Sequence, residues 1–150
     1  MAERVQFELV TPELLVLSEM VEMVVVPGTE GNFGVLPGHA PLISTIRPGM
    51  IDIYKGQTVT RQIFVVSGIA EVTPERCTVL ADEAVPPDAL DRAAIDADLR
   101  IVEGNLPSLR EQVARATGTD RERLLIELHR LERDQAVLQA KLQALGEIAH

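Results

Sequence analysis

The sequence predicts a β + α protein: an antiparallel β-sandwich or flattened barrel, followed by C-terminal α-helices. Two observations predict this class. Up to residue 86, short runs rich in Val, Ile and Thr alternate with Gly/Pro turns, as in all-β domains. From residue 87 onward, apolar residues recur at helical spacing. We therefore predict two domains, 1–86 and 87–150.

The first domain contains eight runs with the composition of strands. Apolar and polar residues alternate most regularly over Val5–Leu9, as in a strand with one buried face. Turn sequences such as RPG at 47–49 and KGQ at 55–57 separate neighbouring runs. In order, the runs are VQFELVT, LLVLSE, VEMVVVP, PLISTI, GMIDIYKG, TVTRQIFVVSG, IAEVTP and CTVLADEAV.

Two shorter helices are predicted at the start of the second domain. The first spans Asp88–Glu103, and Gly104 marks its C-terminal end. Asn105 as the cap and Pro107 in the first turn then start a separate short helix, which ends at Ala116. The segment 105–118 is thus an additional short element between the first predicted helix and the last one.

The last predicted helix starts at a capping box, Thr119–Glu122, and runs to about Ala149. It carries a heptad seam with one polar member, formed by Leu124, Leu128, Leu131, Gln135, Leu138, Leu142 and Leu145. Such a seam packs against the preceding helix in an antiparallel hairpin, or against another protein. The pattern leaves both arrangements open.

Charge and composition exclude several classes of partner. The net charge of −9 disfavours binding to nucleic acid and to anionic lipid. No run approaches the roughly 18 apolar residues of a membrane span, so direct membrane insertion is not predicted. A single cysteine, Cys77, forms no internal disulfide and is typical of a reducing compartment. Its apolar neighbours predict a buried structural thiol.

The sequence contains no recognisable catalytic or metal-binding constellation. His39, His129 and His150 lack the spacing of metal ligands, so no metal is predicted. The glycines between residues 28 and 38 match no phosphate-binding motif, and no lysine lies near them. Ser44 and Ser67 lack a nucleophile elbow. We therefore predict no catalytic residues.

The glycine- and proline-rich stretch PGTEGNFGVLPGHAPLI, residues 27–43, is predicted to be a stiff docking loop. Its first part has the composition of a β-hairpin, and Pro37-Gly38 suggests a type II turn. Glu30 and His39 are the polar side chains that it would present. Alternatively, His39 only hydrogen-bonds a turn carbonyl.

Two long motifs resemble a known family. PGTEGNFGVLPGHAPL and SGIAEVTPERCTVLADEA, in this order and before a helical region, closely resemble the epsilon subunit of bacterial F-type ATP synthases, the counterpart of the mitochondrial delta subunit. The resemblance implies about ten strands in the sandwich and a C-terminal helical hairpin. It also implies a non-catalytic central-stalk subunit of the proton-translocating enzyme, which couples c-ring rotation to ATP synthesis.

The resemblance implies specific partners and a location. The sandwich would bind the gamma subunit and the ring of c subunits, peripherally at the cytoplasmic face of the bacterial inner membrane. The loop that faces the c ring would contain Glu30, Asn32 and His39. Asn32 stands where relatives commonly have a carboxylate.

The resemblance also implies a regulatory role for the helices. In an extended form they would meet the alpha and beta subunits and inhibit ATP hydrolysis. Candidate contacts to beta are Arg121, Arg123, Arg130, Arg133 and Lys141, although the same residues could form a solvated helix face.

Some relatives bind ATP on the hairpin through an I/L-D-x-x-R-A motif. The nearest counterparts here are Asp88 and Arg92, and the spacing departs from the motif by one residue. No cofactor is therefore predicted. Outside this family, the alternative is a free-standing β-sandwich adaptor whose coiled-coil tail dimerises.

Overall fold

The computed structural model describes residues 3–148, which divide into two units between Leu90 and Asp91. Among the described residues, the first unit holds 3–90 together with 147 and 148, and the second is Asp91–Gly146. The domain boundary predicted from the sequence, at residue 86, lies slightly before this division. The difference arises because the 3₁₀ turn Pro87–Ala89 packs against a strand of the first unit.

Eight strands form the first unit. They pair in the order β2-β1-β8-β7-β5-β3-β4, and β6 pairs with both β3 and β7. Their bounds are β1 Val5–Val10, β2 Leu15–Val21, β3 Met23–Gly28, β4 Gly31–Val35, β5 Leu42–Ile46, β6 Gly49–Lys55, β7 Thr58–Val72 and β8 Arg76–Val85.

One strand pair departs from the predicted antiparallel arrangement. β1 and β8 are parallel, with Phe7 opposite Cys77, whereas every other described pair is antiparallel. A parallel pair requires a long crossover connection. Here the connection is long because all six other strands lie between β1 and β8 in the chain.

The number of strands also differs from the ten that the resemblance implied, since residues 3–148 contain eight. β7 is a single strand of 15 residues with a corner at Ser67 and Gly68, where φ is 43° and 141°. Residues 58–65 of β7 pair with β6, and residues 68–72 pair with β5. A bend of this kind lets one strand serve both layers of a sandwich.

The core lies between the inner faces of the sandwich. β1 alternates between buried and half-buried residues, with Val5, Phe7 and Leu9 fully buried, as the sequence pattern predicted. The other strands add mainly Val and Ile. The buried cluster comprises Val5, Phe7, Leu9, Val21, Val24, Val26, Val35, Ile46, Ile51, Ile53, Ile63, Val65, Ala70, Val72, Cys77, Val79 and Ala81.

The second unit is a pair of helices, α1 Arg92–Arg115 and α2 Gly118–Leu145. The prediction that Gly104 ends one helix and that Asn105 and Pro107 start another was wrong, because α1 continues through all three. An interior Pro and Gly together disfavour a helix by about 4 kcal/mol.

Burial outweighs that cost. Val102, Leu106, Leu109 and Val113 form one continuous buried stripe along α1. Each such side chain contributes about 1.5–3 kcal/mol when fully buried. Gly104 and Pro107 lie on the exposed side of the helix.

Both predicted helix starts are also corrected. α1 starts at Arg92 rather than Asp88, because the Asp91 carboxylate caps it by accepting from the amides of Ala93 (3.0 Å) and Ala94 (3.4 Å). α2 starts at Gly118, before the predicted capping box. Its N-cap is Thr117, which makes no side-chain capping bond.

The helical hydrogen bonds of α2 already begin with the Arg121 amide and the Thr117 carbonyl, 3.4 Å apart. A cap at Thr119 is therefore not needed. α2 ends at Leu145, and the predicted end at Ala149 lies outside the described residues.

The two helices form the predicted antiparallel hairpin, and the heptad seam is used within it. Leu128 is buried against the α1 stripe, with Leu124, Leu125, Leu131 and Leu138 packed around them. The polar seam residue Gln135 donates to Glu103 Oε2 at 3.2 Å. The Arg110 guanidinium lies 3.6 Å from the Glu132 carboxylate. Five of the seven seam residues, Leu124 to Leu138, are thus occupied inside this chain, which disfavours the dimerising coiled-coil tail.

Candidate functional site

The first part of the docking loop is a β-hairpin, as predicted. β3 and β4 pair from Val24 opposite Val35 to Gly28 opposite Gly31. Thr29 and Glu30 form its turn, and Gly31 has a φ of 132°, which a residue with a Cβ rarely adopts. Glu30 is exposed at the turn and lies in no ion pair of the described residues.

Arg47 ties this hairpin to the end of β5. Its Nη1 donates to the Gly28 carbonyl at 2.9 Å, and its Nη2 donates to Asn32 Oδ1 at 2.7 Å. Its backbone amide donates to the Pro27 carbonyl at 3.0 Å. The Arg47 clamp is our name for this side chain and its two acceptors, the Gly28 carbonyl and Asn32 Oδ1.

From the sequence, Arg47 was predicted only to be part of a turn, and its hydrogen bonds to the hairpin were not predicted. The tertiary pairing of Ile46 with Gly28 brings residue 47 beside the hairpin. The local sequence contained one usable signal, a cation with a planar fork of donors near the loop.

The second part of the loop is the predicted type II turn. The His39 amide donates to the Leu36 carbonyl at 3.1 Å, and Gly38 has a φ of 84°. The Gly38 amide donates to the Pro74 carbonyl at 2.7 Å, which fixes the turn to the connection between β7 and β8.

The His39 side chain contacts a turn carbonyl, as the alternative interpretation expected. Nδ1 lies 2.6 Å from the Ala40 carbonyl. A carbonyl oxygen only accepts, so Nδ1 carries the hydrogen. His39 is half-buried, and Nε2 stays available to a partner.

An exposed apolar row crosses the outer face of the sheet. Leu15, Val10, Leu80 and Ile69 lie directly opposite one another on β2, β1, β8 and β7. Leu15, Leu80 and Ile69 are 56%, 52% and 47% exposed. Ile43 on neighbouring β5 is 73% exposed. An apolar set of this kind on a folded surface marks a site of interaction.

The apolar row was not predicted from sequence. Leu80 and Ile69 belong to strand-like runs in which apolar and polar residues do not alternate regularly, so the pattern did not separate inner from outer positions. Only the register shows that the four side chains of the row adjoin.

The five basic candidates on α2 have different surroundings. Arg123 lies 3.5 Å from Asp120, and Arg130 lies 3.7 Å from Glu127 and 3.8 Å from Asp134. Arg121 and Arg133 are exposed, and neither forms an ion pair with another residue of the described part of the chain. Lys141 is half-buried.

The residues considered for nucleotide binding are both exposed. Asp88 lies in the 3₁₀ turn, and Arg92 is the first residue of α1. The nearby Asp91 carboxylate is engaged with the α1 amides and so accepts hydrogen bonds that phosphate oxygens would otherwise take.

Neither metal binding nor a reactive thiol has a site among residues 3–148. They contain no group of three or more His, Cys, Asp or Glu side chains placed to hold a metal ion. Cys77 is buried, and burial raises the pKa of its thiol to about 12. No helix within these residues is long and apolar enough to cross a membrane.

Comparison with known proteins gives consistent matches. Residues 4–87 match the family described as ATP synthase, Delta/Epsilon chain, beta-sandwich domain. The ATP synthase epsilon chain of Rhodospirillum centenum is 52% identical over 148 residues, which cover 97% of this chain and 94% of that protein. The epsilon chain of Rhodospirillum rubrum is 53% identical over 116 residues, or 77% of this chain and 87% of that one.

A solved structure has the same fold. A chain in the cryo-EM structure of Euglena gracilis mitochondrial ATP synthase (OSCP/F1/c-ring, rotational state 1) matches with a TM-score of 0.69 at 21% identity. The match covers 95% of this chain and 81% of that one.

Proposed function

This chain belongs to the ATP synthase epsilon family and is a subunit of the rotor stalk of that enzyme, and on this premise we propose how its surfaces are used. The supporting observation is the 52% identity to an epsilon chain over 97% of the sequence, which includes both units. A free-standing adaptor, the alternative from a different class, does not account for that similarity.

We propose that the gamma subunit binds the outer face of the sheet. The apolar row provides a continuous surface across four strands, and Glu8 and Glu71 lie one row away from it. Protein interfaces commonly have an apolar centre and a polar rim. Binding here would transmit torque through a rigid, hydrogen-bonded sheet.

The loop of residues 27–43 is proposed to contact the c ring through Glu30, Asn32 and His39. Two independent sets of hydrogen bonds hold it, the Arg47 clamp on the hairpin and the Pro74 contact on the type II turn. Preorganisation lowers the entropy cost of binding. The subunit itself would be non-catalytic and peripheral at the cytoplasmic face of the membrane.

The hairpin is proposed to be the regulatory part. Arg121 and Arg133 are its best candidates for contacts with acidic groups of beta, because neither forms an ion pair among the described residues. Arg123, Arg130 and Lys141 would first have to leave their present contacts or their half-buried position. ATP is not proposed as a ligand.

The proposal is tested by purifying the assembled enzyme with the full chain and with a chain that ends at Leu90, the boundary between the units. We expect both chains to copurify with gamma and the c ring, because the sandwich has its own core. We expect ATP hydrolysis to rise several-fold with the truncated chain. Loss of copurification would contradict the docking role, and unchanged hydrolysis would contradict the inhibitory one.

A further inference from the structure

Arg47 is a half-buried cation whose side chain has only neutral hydrogen-bond partners. Its guanidinium donates to a backbone carbonyl and to a carboxamide oxygen, and no carboxylate lies within 4.0 Å of it among the described residues. Such a cation is retained at the cost of partial desolvation, which its hydrogen bonds only partly offset. The arrangement therefore requires a functional explanation.

The two acceptors of the clamp lie on either side of the hairpin turn. Gly28 ends β3, Asn32 is the second residue of β4, and the turn with Glu30 lies between them. One planar guanidinium thus joins both strands next to the turn that connects them. The fork of donors on arginine suits this task, whereas lysine would reach the same acceptors only as a point charge.

The surrounding packing leaves the hairpin little freedom below the turn. A Cβ on Gly28 would lie 2.9 Å from the Gly31 carbonyl oxygen and 2.9 Å from Phe33 Cε1. Thr29 contributes a second tie to β5, through hydroxyl oxygens of Thr29 and Thr45 that are 2.8 Å apart. The position of Glu30 consequently depends on contacts with residues 45 and 47.

We propose that Arg47 is the positioning residue of the c-ring-facing hairpin and that Asn32 acts as its internal ligand, leaving Glu30 as the carboxylate presented to the partner. This inference rests on the proposed docking of the loop on the c ring. It gives a reason for an asparagine at position 32, because its amide oxygen accepts from Arg47 without adding charge beside Glu30. Asn32 Oδ1 is thus taken by Arg47, so Asn32 would meet the partner only through its exposed amide nitrogen.

The test uses the assembled enzyme and disulfide crosslinking to a cysteine placed on the facing c-ring loop. Glu30→Cys reports on the hairpin turn, and His39→Cys reports on the type II turn, which is held independently at Pro74. The native Cys77 is buried, with its thiol pKa raised to about 12, so it does not compete. Each reporter is combined with Arg47→Ala or with Asn32→Leu, which keeps the size of the side chain but removes the acceptor.

We expect the crosslink from position 30 to fall at least fivefold in both variants, while the crosslink from position 39 stays unchanged. Arg61→Ala is the control for removing a cation, because Arg61 is exposed and makes only a 3.8 Å ion pair with Glu19. It should change neither yield. Asn32→Leu keeps the test decisive if Arg47→Ala does not fold.

A rescue experiment separates positioning from a general effect on stability. Arg47→Lys should lose part of the position-30 crosslink, and adding Asn32→Asp should restore it through a single charge-assisted hydrogen bond. Amide exchange of residues 28–32 should accelerate in Arg47→Ala and recover in the double variant. Equal losses at positions 30 and 39, or no loss at 30, would overturn the inference.

The two proposals fail in different ways. If neither reporter crosslinks to the ring in the otherwise unaltered chain, the docking proposal is wrong. If both crosslink and the clamp variants change nothing, docking stands and the role of Arg47 is wrong.

Discussion

Ser67 and Gly68 form the corner at which β7 passes from one layer of the sandwich to the other. Ser67 is the one described non-glycine residue with a positive φ, 43°, and its hydroxyl donates to Asp82 Oδ2 at 2.6 Å. A residue in this region of φ is strained by roughly 1–3 kcal/mol. The hydrogen bond to β8 therefore helps to hold Ser67 in its strained conformation, whereas Gly68 adopts a positive φ without that penalty.

Gly68→Ala is expected to be among the most destabilising single changes in the sandwich. A Cβ at this position would lie 2.0 Å from the Leu80 carbonyl oxygen, so the backbone of β8 would have to move. We expect a loss of more than about 3 kcal/mol, since clash and backbone strain add. Urea unfolding followed by a sheet-sensitive signal measures it.

Gly56→Ala is the matched control for that change. Gly56 also has a positive φ, 63°, but a Cβ there would meet nothing within 4 Å. Gly56→Ala should lose only the stability that corresponds to backbone strain at positive φ, about 1 kcal/mol. Equal losses at the two glycines would show that the close approach of Leu80 is not the cause.

Burial of Cys77 makes a pH-dependent contribution to stability. Desolvation raises the pKa of the folded-state thiol to about 12, above its ordinary value of 9.0. Folding therefore favours the protonated thiol. The contribution of this thiol to the free energy of unfolding is full below pH 9 and is lost as the pH rises towards 12. We expect the stability difference between the unaltered chain and Cys77→Ala to shrink between those limits.

Urea titrations of both chains at several pH values measure that difference. Other groups titrate in the same range in both chains and cancel in the comparison. A difference that stays constant with pH would contradict a buried, neutral thiol.

At the scale of elements, the seam of the helical hairpin combines apolar residues with one polar member, Gln135. Gln135 is half-buried on the seam of α2 and donates to Glu103 on α1. A polar residue at a seam position fixes the alignment of two helices and reduces their stability. The seam of this hairpin is consequently specific but not maximally stable.

Gln135→Leu is expected to stabilise the hairpin by about 1 kcal/mol, because it adds apolar burial and leaves only an exposed Glu103 without that partner. Urea unfolding followed by helical circular dichroism measures the change. Gln139→Leu, at an exposed position of α2, is the control and should have almost no effect. Destabilisation by Gln135→Leu would show that the contact with Glu103 outweighs the packing.

At the scale of the whole molecule, the apolar row and the core of the sandwich are formed by different residues. The core residues point inward on the strands whose outer residues form the row. Binding and folding are therefore separable by mutation.

Leu80→Lys is expected to weaken binding to gamma at least tenfold while leaving the fold intact. Leu80 is 52% exposed at the centre of the row, and burying a lysine against an apolar partner is unfavourable. Binding to purified gamma, with circular dichroism of the free chain, measures both effects. Ile126→Lys, at a residue 73% exposed on α2, is the matched control and should bind normally.

Unchanged binding by Leu80→Lys would exclude the row as the gamma surface. Weak binding by both variants would point to a nonspecific effect of charge.

The sequence by itself determined the elements that follow from periodicity and turn chemistry. Alternation over Val5–Leu9 placed β1 with its apolar side inward, and glycine positions located both turns of the docking loop. The heptad seam located the apolar face of α2, although it left open whether that face packs within the chain or on another protein. These features depend on residues close together in the chain, so local patterns reveal them.

Only the tertiary structure decided features that join distant residues. Burial of the stripe around Leu106 carried α1 through Pro107, against local propensity. Pairing of β5 with β3 brought Arg47 to Asn32, and the parallel pairing of β1 with β8 aligned Val10 with Leu80. Both candidate surfaces arise from strand register, and the burial of a complete core selects that register.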